Sequence, residues 1–234
     1  MGAKTFQLWQ VKASLVDPKT YFFAFVSAAN ATMVASAGAF LPTIVKSFGF
    51  SSVRAQLFTV IPYACAFLSM IVIAILSDRY RNKGFFILGS LASCGVGLVI
   101  LLATTSKQAG ILGACLLVLG AYPAAVLQIA WVQINFCGYT KRATSWAVAM
   151  FFGQGFSMLG SQIYTTPPRF VKGHATLLGL VVWGMVMTVC AQLLMHSQNR
   201  KRERELDRCD GVHPDMERSF EETCDDHIKF RYIL

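Results

Sequence analysis

The sequence predicts an all-α membrane protein built from six transmembrane helices. Of its 234 residues, 55% are hydrophobic and only 14% are charged, and the mean hydropathy is +0.51. A soluble domain is about 45–50% apolar and about 25% charged, so both departures indicate a chain embedded in lipid. The charges form small clusters between long apolar runs, as short loops between membrane spans do.

The net charge of +9 does not indicate a nucleic-acid partner, because the cations are spread between apolar runs. A nucleic-acid surface gathers them on one face of a soluble fold. The seven cysteines form no C-x-x-C pair. Cys209 with His213, and Cys224 with His227, have spacings that zinc sites also use. We interpret these spacings as accidents of a flexible tail and expect no metal, no cofactor and no nucleic acid.

The six spans are read from apolar runs, since crossing a bilayer core takes roughly 20 apolar helical residues. No Asp, Glu, Lys or Arg lies inside any of them. The chain thus divides into an N-terminal segment (1–19), a helical bundle (20–195) and a tail (196–234). The predicted spans are Thr20–Val45, Ala55–Ser77, Phe85–Thr104, Ala109–Ile134, Ala143–Thr165 and His174–Met195.

The distribution of cations predicts the orientation of the bundle. Lys and Arg accumulate in short cytoplasmic loops. Alternating loops place most of the cations on the side that holds both termini and the "SDRYRNKG" loop, residues 77–84. We therefore expect both termini in the cytosol.

The tail has two parts of different composition. Residues 200–204 are strongly basic, a composition that favours contact with anionic lipid. Residues 206–227 are acidic and poor in apolar residues, and chains of that kind stay unfolded because they bury too little apolar surface. We expect the tail to be cytosolic and largely disordered.

Polar residues inside the fourth span predict a wall of a substrate path. Gln128, Trp131 and Asn135 lie at positions i, i+3 and i+7, on one face of the helix. Pro123 removes a backbone hydrogen bond upstream and can bend the helix. The alternative is that these side chains only form hydrogen bonds between helices.

The fifth span carries small residues at every fourth position, which allow close approach of another helix. We interpret this stripe as a packing surface. Gln154 lies beside it and faces either a partner helix or the path. The stripe consists of Ser145, Ala149, Gly153, Ser157 and Ser161.

Two further residues are candidates for the path, and one enzyme hypothesis is disfavoured. Asn30 lies near the middle of the first span, and Tyr63 follows Pro62 near the outer end of the second, where an interfacial anchoring role is the alternative. Ser157 and His174 are compatible with an intramembrane serine protease. However, Ser157 is predicted deep in its helix and His174 at the surface, too far apart for a nucleophile and its base. We expect no enzyme activity.

The "LSDRYRNKG" loop (76–84) resembles a cytoplasmic signature of the major facilitator superfamily, approximately G-x-x-x-D-R-x-G-R-R/K. Asp78, Arg79 and Lys83 match that pattern, whereas Ala74 and Arg81 replace its glycines and Asn82 its arginine. Further motifs in order resemble the C-terminal half of fungal anion:cation symporters of the allantoate permease type, from about Asp17 to Leu234. They include "DPKT" (17–20), "FLPTI" (40–44), "AYP" (121–123), "GYTKRA" (138–143), "GSQIY" (160–164) and "FRYIL" (230–234).

The resemblance implies a transporter of small organic anions, coupled to protons and resident in the plasma membrane. It implies twelve helices in the complete protein, of which this chain supplies the last six. Because the spans here contain neither cation nor carboxylate, a missing N-terminal half or another six-helix bundle would supply the rest. It also implies a conformational switch at Asp78, Arg79, Lys83, Lys141 and Arg142. For Asp78 and Arg79 the alternative is that they are only charges that set the orientation. For the whole chain the alternative is a truncated, non-transporting membrane protein that acts only as an assembly partner.

Overall fold

In the computed structural model the chain is described at residues 6–47, 51–104, 106–160, 162–164, 170–208 and 223–234. The described residues form helices and connecting segments, which confirms the all-α prediction. A 3-10 turn, Cys224–Asp226, lies in the C-terminal segment. The helices are α1 (Leu8–Val16), α2 (Pro18–Ser47), α3 (Ser52–Tyr80), α4 (Lys83–Ala103), α5 (Lys107–Asn135), α6 (Tyr139–Gly160) and α7 (Val171–Arg208).

Five of the described helices are long and apolar enough to cross a membrane: α2, α3, α4, α5 and α7. The predicted count of six spans is therefore not confirmed. The difference is α6, which is 22 residues long. Its small and polar residues, among them Thr144, Ser145, Gln154 and Ser157, lower its mean hydropathy.

Close packing of α4 on α5 depends on glycine. A Cβ atom on Gly120 would lie 2.2 Å from the carbonyl oxygen of Ser90, and one on Gly97 would lie 2.6 Å from the carbonyl oxygen of Gly113. Neither position has room for a side chain. The two backbones therefore meet directly, as in other membrane helix pairs with small residues at the contact.

Helix α2 is the centre of the bundle, because it contacts α3, α5, α6 and α7. One hydrophobic core includes Phe23, Met33, Leu91, Trp131 and Leu177. By contrast, α3 exposes much of its apolar surface, including Leu57, Leu68 and Ile75. Such a surface is suited to lipid tails or to another apolar bundle.

The N-terminal segment contains a helix, α1, that the sequence did not lead us to predict. Gln10 anchors it: its Oε1 accepts hydrogen bonds from the backbone N–H groups of Thr140 and Lys141, at 3.0 and 3.1 Å. N–H groups at the start of a helix have no partner within that helix, so Gln10 caps α6. The opposite side of α1 exposes Leu8 and Trp9.

The tail also differs from the expectation of general disorder. Helix α7 continues to Arg208, well beyond the predicted end at Met195. Residues 223–234 pack against the bundle, with Ile228 and Tyr232 buried. The stretch 209–222, with Cys209 and His213, lies outside the described residues. Averaging over the acidic stretch concealed the apolar side chains at the chain's end, which provide the burial that docking needs.

Candidate functional site

A groove of about 250 Å³ lies between α2, α5 and α6, near the middle of the bundle. It brings together three of the residues proposed for the substrate path, Asn30, Gln128 and Gln154, one from each helix. Ser27 and Ser157 add hydroxyl groups to the same surface. None of the described residues that line the groove is ionisable. Its recognition chemistry is therefore that of neutral amides and hydroxyls beside apolar side chains.

The amides of the groove differ in how they are held. Gln128 Nε2 donates to the carbonyl oxygen of Phe23 at 3.2 Å, which ties α5 to α2. Asn30 Nδ2 lies 3.5 Å from the carbonyl oxygen of Ala124, while Asn30 Oδ1 is buried and has no hydrogen-bond partner among the described residues. Gln154 is exposed. Asn30 thus offers an acceptor and Gln154 an exposed amide.

Trp131 and Asn135 lie on the same side of α5 as Gln128 but do not line this groove. Both are fully buried, because the C-terminal segment covers them. Trp131 Nε1 donates to the carbonyl oxygen of Ile233 at 2.8 Å. Asn135 exchanges two hydrogen bonds with the backbone of Ile233, at 2.8 and 2.9 Å. We predicted that both residues line the substrate path. In the structure they instead bind the C-terminal segment.

Tyr63 is also separate from the groove. Its ring packs edge to face against Tyr122, with centroids 5.9 Å apart, beside a small core that includes Leu41 and Val118.

A buried cluster of four charges lies where α2 and α6 begin. We call Asp17, Lys19, Lys141 and Asp225 the charge cluster. Lys141 Nζ lies 2.9 Å from Asp17 Oδ2 and 2.5 Å from Asp225 Oδ1. Lys19 Nζ lies 3.3 Å from Asp17 Oδ2 and pairs closely with Asp225 Oδ2. Two cations and two anions balance, which offsets the cost of removing them from water.

Arg202 and Tyr232 enclose the charge cluster. Arg202 donates to the backbone oxygens of Asp225 and Phe230, at 2.6 and 2.8 Å. The Tyr232 hydroxyl accepts from Lys19 and lies 3.1 Å from Asp225 Oδ2, while the Tyr232 ring stacks under the Lys19 ammonium at 4.1 Å. The C-terminal segment is therefore joined to α2, α5, α6 and α7.

Burial and the neighbouring charges of the cluster together determine the pKa values of Asp225 and Lys141. Burial alone raises the pKa of Asp225, but Lys19 and Lys141 outweigh it and hold the pKa below its usual value. Burial in turn lowers the pKa of Lys141, and Asp225 and Asp17 more than reverse this effect. Both residues therefore stay charged at neutral pH, and the ion pairs persist.

The residues proposed as a switch fall into two groups. Lys141 belongs to the charge cluster, and the neighbouring Arg142 donates from Nε to the carbonyl oxygen of Phe136 at 3.0 Å. Asp78 and Lys83 form a local pair across the α3–α4 turn, at 2.5 Å between Oδ1 and Nζ, beside the exposed Arg79. The two groups are not joined by any ion pair between described residues.

The small-residue stripe of α6 contacts α2 along only part of its length. Ser145, Ala149 and Gly153 are buried, and a Cβ on Gly153 would lie 2.8 Å from Ser27 Oγ. Ser157 faces the groove instead, and Gly160 takes its place: its carbonyl oxygen accepts from Ser36 Oγ at 2.9 Å. Ser161 lies outside the described residues.

The two residues considered for a protease have different partners. Ser157 Oγ donates to the carbonyl oxygen of Gln154 at 2.7 Å. His174 Nδ1 lies 3.0 Å from the Tyr164 hydroxyl.

Comparison with known proteins finds similarity over nearly the whole chain. The chain is 31% identical to a high-affinity nicotinic acid transporter of Saccharomyces cerevisiae over 97% of its length, covering 42% of that protein. It is 31% identical to an uncharacterized transporter of Schizosaccharomyces pombe over its full length, covering 48% of that protein. It is 26% identical to an MFS-type transporter of Penicillium expansum over 98% of its length, covering 46%. All three of these relatives are fungal transporters.

The chain spans about half the length of the curated relatives that it matches. No protein-family model matches it. The transporter relatives and the five long apolar helices together indicate an integral membrane protein that is similar to about half of an MFS-type transporter.

Proposed function

We propose that this chain is the C-terminal six-helix half of a major facilitator transporter for small organic anions, of the allantoate permease type. In this proposal α6 also crosses the membrane, as the fifth of six spans in chain order. Both termini face the cytosol, and the protein resides in the plasma membrane. The groove between α2, α5 and α6 forms one wall of the substrate path. The observation that carries the proposal is this groove, which gathers Asn30, Gln128 and Gln154 at mid-bundle.

The proposed substrate class rests on the groove and on one relative. Amide and hydroxyl groups can donate hydrogen bonds to a carboxylate, and apolar neighbours such as Ile129 and Met150 suit an organic body. One relative is named for nicotinic acid, which is a small carboxylic acid. With a volume of about 250 Å³, the groove can form one wall of a binding site for a molecule of that size.

The described residues of the groove carry no charge to balance an anion, and this limits what the chain does by itself. Buried anions are paired with cations or with helix N-termini. Proton coupling in membranes uses titratable groups within the span, and none of the described residues that line the groove is titratable. We propose that a second six-helix half supplies both, either earlier in a longer polypeptide or as a separate chain. Transport is then a rocking of the two halves around the shared site.

The test is uptake of labelled nicotinate by transporter-deficient cells that express this chain with or without a complementary N-terminal half. We expect uptake only with both halves, and stronger uptake at acidic external pH. Gln154→Leu removes an amide from the groove and should raise KM for uptake severalfold. Gln162→Leu is the matched control, because Gln162 is exposed and does not line the groove.

Three results would contradict parts of the proposal. Uptake by the chain alone would contradict the requirement for a second half. Equal effects of the two glutamine substitutions would remove the groove from the path. No uptake of nicotinate or of other labelled organic anions in any combination, with both halves in the membrane, would favour a non-transporting assembly partner.

A further inference from the structure

The exposed face of α7 changes from apolar to basic along a single line. Between residues 182 and 193, α7 carries exposed apolar side chains at helical spacing: Val182, Val186, Val189 and Leu193. The same spacing continues through Ser197 to Arg200, Arg204 and Arg208, and all three arginines are exposed. Residues three and four apart share a helix face, so the apolar line and the basic line are continuous.

The opposite face of α7 is fixed by the C-terminal segment. Asn199 exchanges two hydrogen bonds with the backbone of Tyr232, both 2.9 Å. Arg202 is 8% exposed and donates to three oxygens of the same segment. These contacts continue the buried side of the helix beyond Met195. They stop α7 from rotating, so the basic line keeps its alignment with the apolar one.

A groove of about 600 Å³ runs along the basic line. Its lining includes Leu193, His196, Arg200, Lys201, Arg204 and Arg208. Glu205 also lines it, and its Oε1 lies 3.9 Å from Lys201 Nζ, which offsets that one cation. No carboxylate among the described residues forms an ion pair with Arg200, Arg204 or Arg208. Within the part of the chain that the structure describes, these three guanidinium groups are therefore exposed and without an ion pair.

The spacing of these arginines defines the anion. The polar layer on each side of a bilayer is about 5–8 Å thick. Counted from Met195, where the predicted span ends, Arg200 lies about 7–8 Å along the helix, within that layer and within reach of a phosphodiester. Arg204 and Arg208 lie about 6 and 12 Å farther out, beyond the layer. A phosphodiester reaches only the first of them. The outer arginines need further phosphates, which guanidinium groups bind in bidentate fashion.

We propose that this face of α7 binds a phosphoinositide, a phospholipid whose headgroup carries phosphate groups beyond the diester. Its acyl chains lie along the valines and Leu193. Its diester contacts Arg200, and the additional phosphates contact Arg204 and Arg208. The docked C-terminal segment is what holds this site in place.

The test is native mass spectrometry of the full chain in detergent, with phosphatidylinositol bisphosphate, phosphatidylserine or phosphatidylcholine added. We expect the phosphoinositide to be retained at least severalfold better than phosphatidylserine at matched charge. Arg200→Gln with Arg204→Gln should lower its retention by about fivefold for each arginine removed. Lys12→Gln with Lys229→Gln removes the same charge from two other exposed positions and should leave retention unchanged.

All four substituted side chains are exposed, so neither double variant should lose stability. Thermal unfolding of both double variants should match that of the parent chain. Equal retention of phosphatidylserine at matched charge overturns the phosphoinositide assignment. A loss as large in the lysine control, or no loss in the arginine variant, overturns the site on α7.

Discussion

Lys141 Nζ lies 2.5 Å from Asp225 Oδ1, so the first turn of α6 is bound directly to the C-terminal segment. Asp225 is fully buried and Lys141 is 2% exposed. A buried ion pair of this kind tolerates little displacement, because separating the charges leaves each of them without water or partner. The segment 223–234 is therefore held by charge as well as by apolar burial.

Asp225→Asn should undock the C-terminal segment. The substitution leaves Asp17 as the only carboxylate for two buried lysines, and losing one partner of a buried pair costs about 3–5 kcal/mol. Cys224 reports on docking: it is 1% exposed, and burial raises the pKa of its thiol to about 11. Labelling of Cys224 by a maleimide, followed by peptide mass spectrometry, should become at least tenfold faster.

Asp226→Asn is the matched control for that experiment, because Asp226 is adjacent, carries the same charge and is exposed. Its labelling rate should equal that of the parent chain. If Asp225→Asn and Asp226→Asn label alike, the charge cluster does not hold the segment.

The docked state should be insensitive to pH across the physiological range. The pKa of Asp225 is lower in the docked state than its ordinary value of 3.8. Its contribution to docking is therefore complete above that value and is lost only as the pH falls below it. Fluorescence of Trp131, in a variant with Trp9, Trp146 and Trp183 replaced by Phe, should stay constant from pH 8 to 5 and change in stronger acid. A transition near pH 6 would contradict this assignment.

Periodicity and composition in the sequence are sufficient to predict the helical class and the approximate helix positions. Apolar runs also bring Asn30, Gln128 and Gln154 forward as candidates, and these three meet at the groove. The reason is local: an uncharged amide within an apolar run stands out without knowledge of the fold. Whether a given face is open depends on what packs over it, and for Trp131 and Asn135 that is the remote Ile233.

The charge cluster could not be predicted in the same way. Asp17, Lys141 and Asp225 belong to three separate segments, and each is an ordinary loop charge in its local context. The orientation rule uses such lysines only as topological signals. Their pairing appears only once α2, α6 and the chain end are placed together.

Gly120→Ala should destabilise the bundle more than its size suggests. The added methyl group would lie 2.2 Å from the Ser90 carbonyl oxygen, which is backbone and cannot turn aside. Overpacking of this kind costs about 1–3 kcal/mol, and the gain in helix propensity is only about 1 kcal/mol. The apparent Tm in detergent should fall by several degrees.

Gly89→Ala provides the comparison, since a Cβ at Gly89 meets nothing within 4 Å. There the propensity gain acts alone, and the apparent Tm should stay unchanged or rise. A fall as large as for Gly120→Ala would show that glycine is needed in α4 for a reason other than the contact with α5.

Asp78→Asn should separate a switch at the α3–α4 turn from a purely topological charge. Asp78 is 72% exposed, so its pair with Lys83 adds little to the folded state, as exposed pairs contribute about 0–1 kcal/mol. Thermal unfolding should barely change. If the turn takes part in the proposed rocking of the two halves, nicotinate uptake by the assembled transporter should fall severalfold in kcat without a matching change in KM. Unchanged uptake, with the protein still present in the membrane, would exclude a switch role for Asp78. The residue would then act only as a charge that helps to set the orientation of the helices.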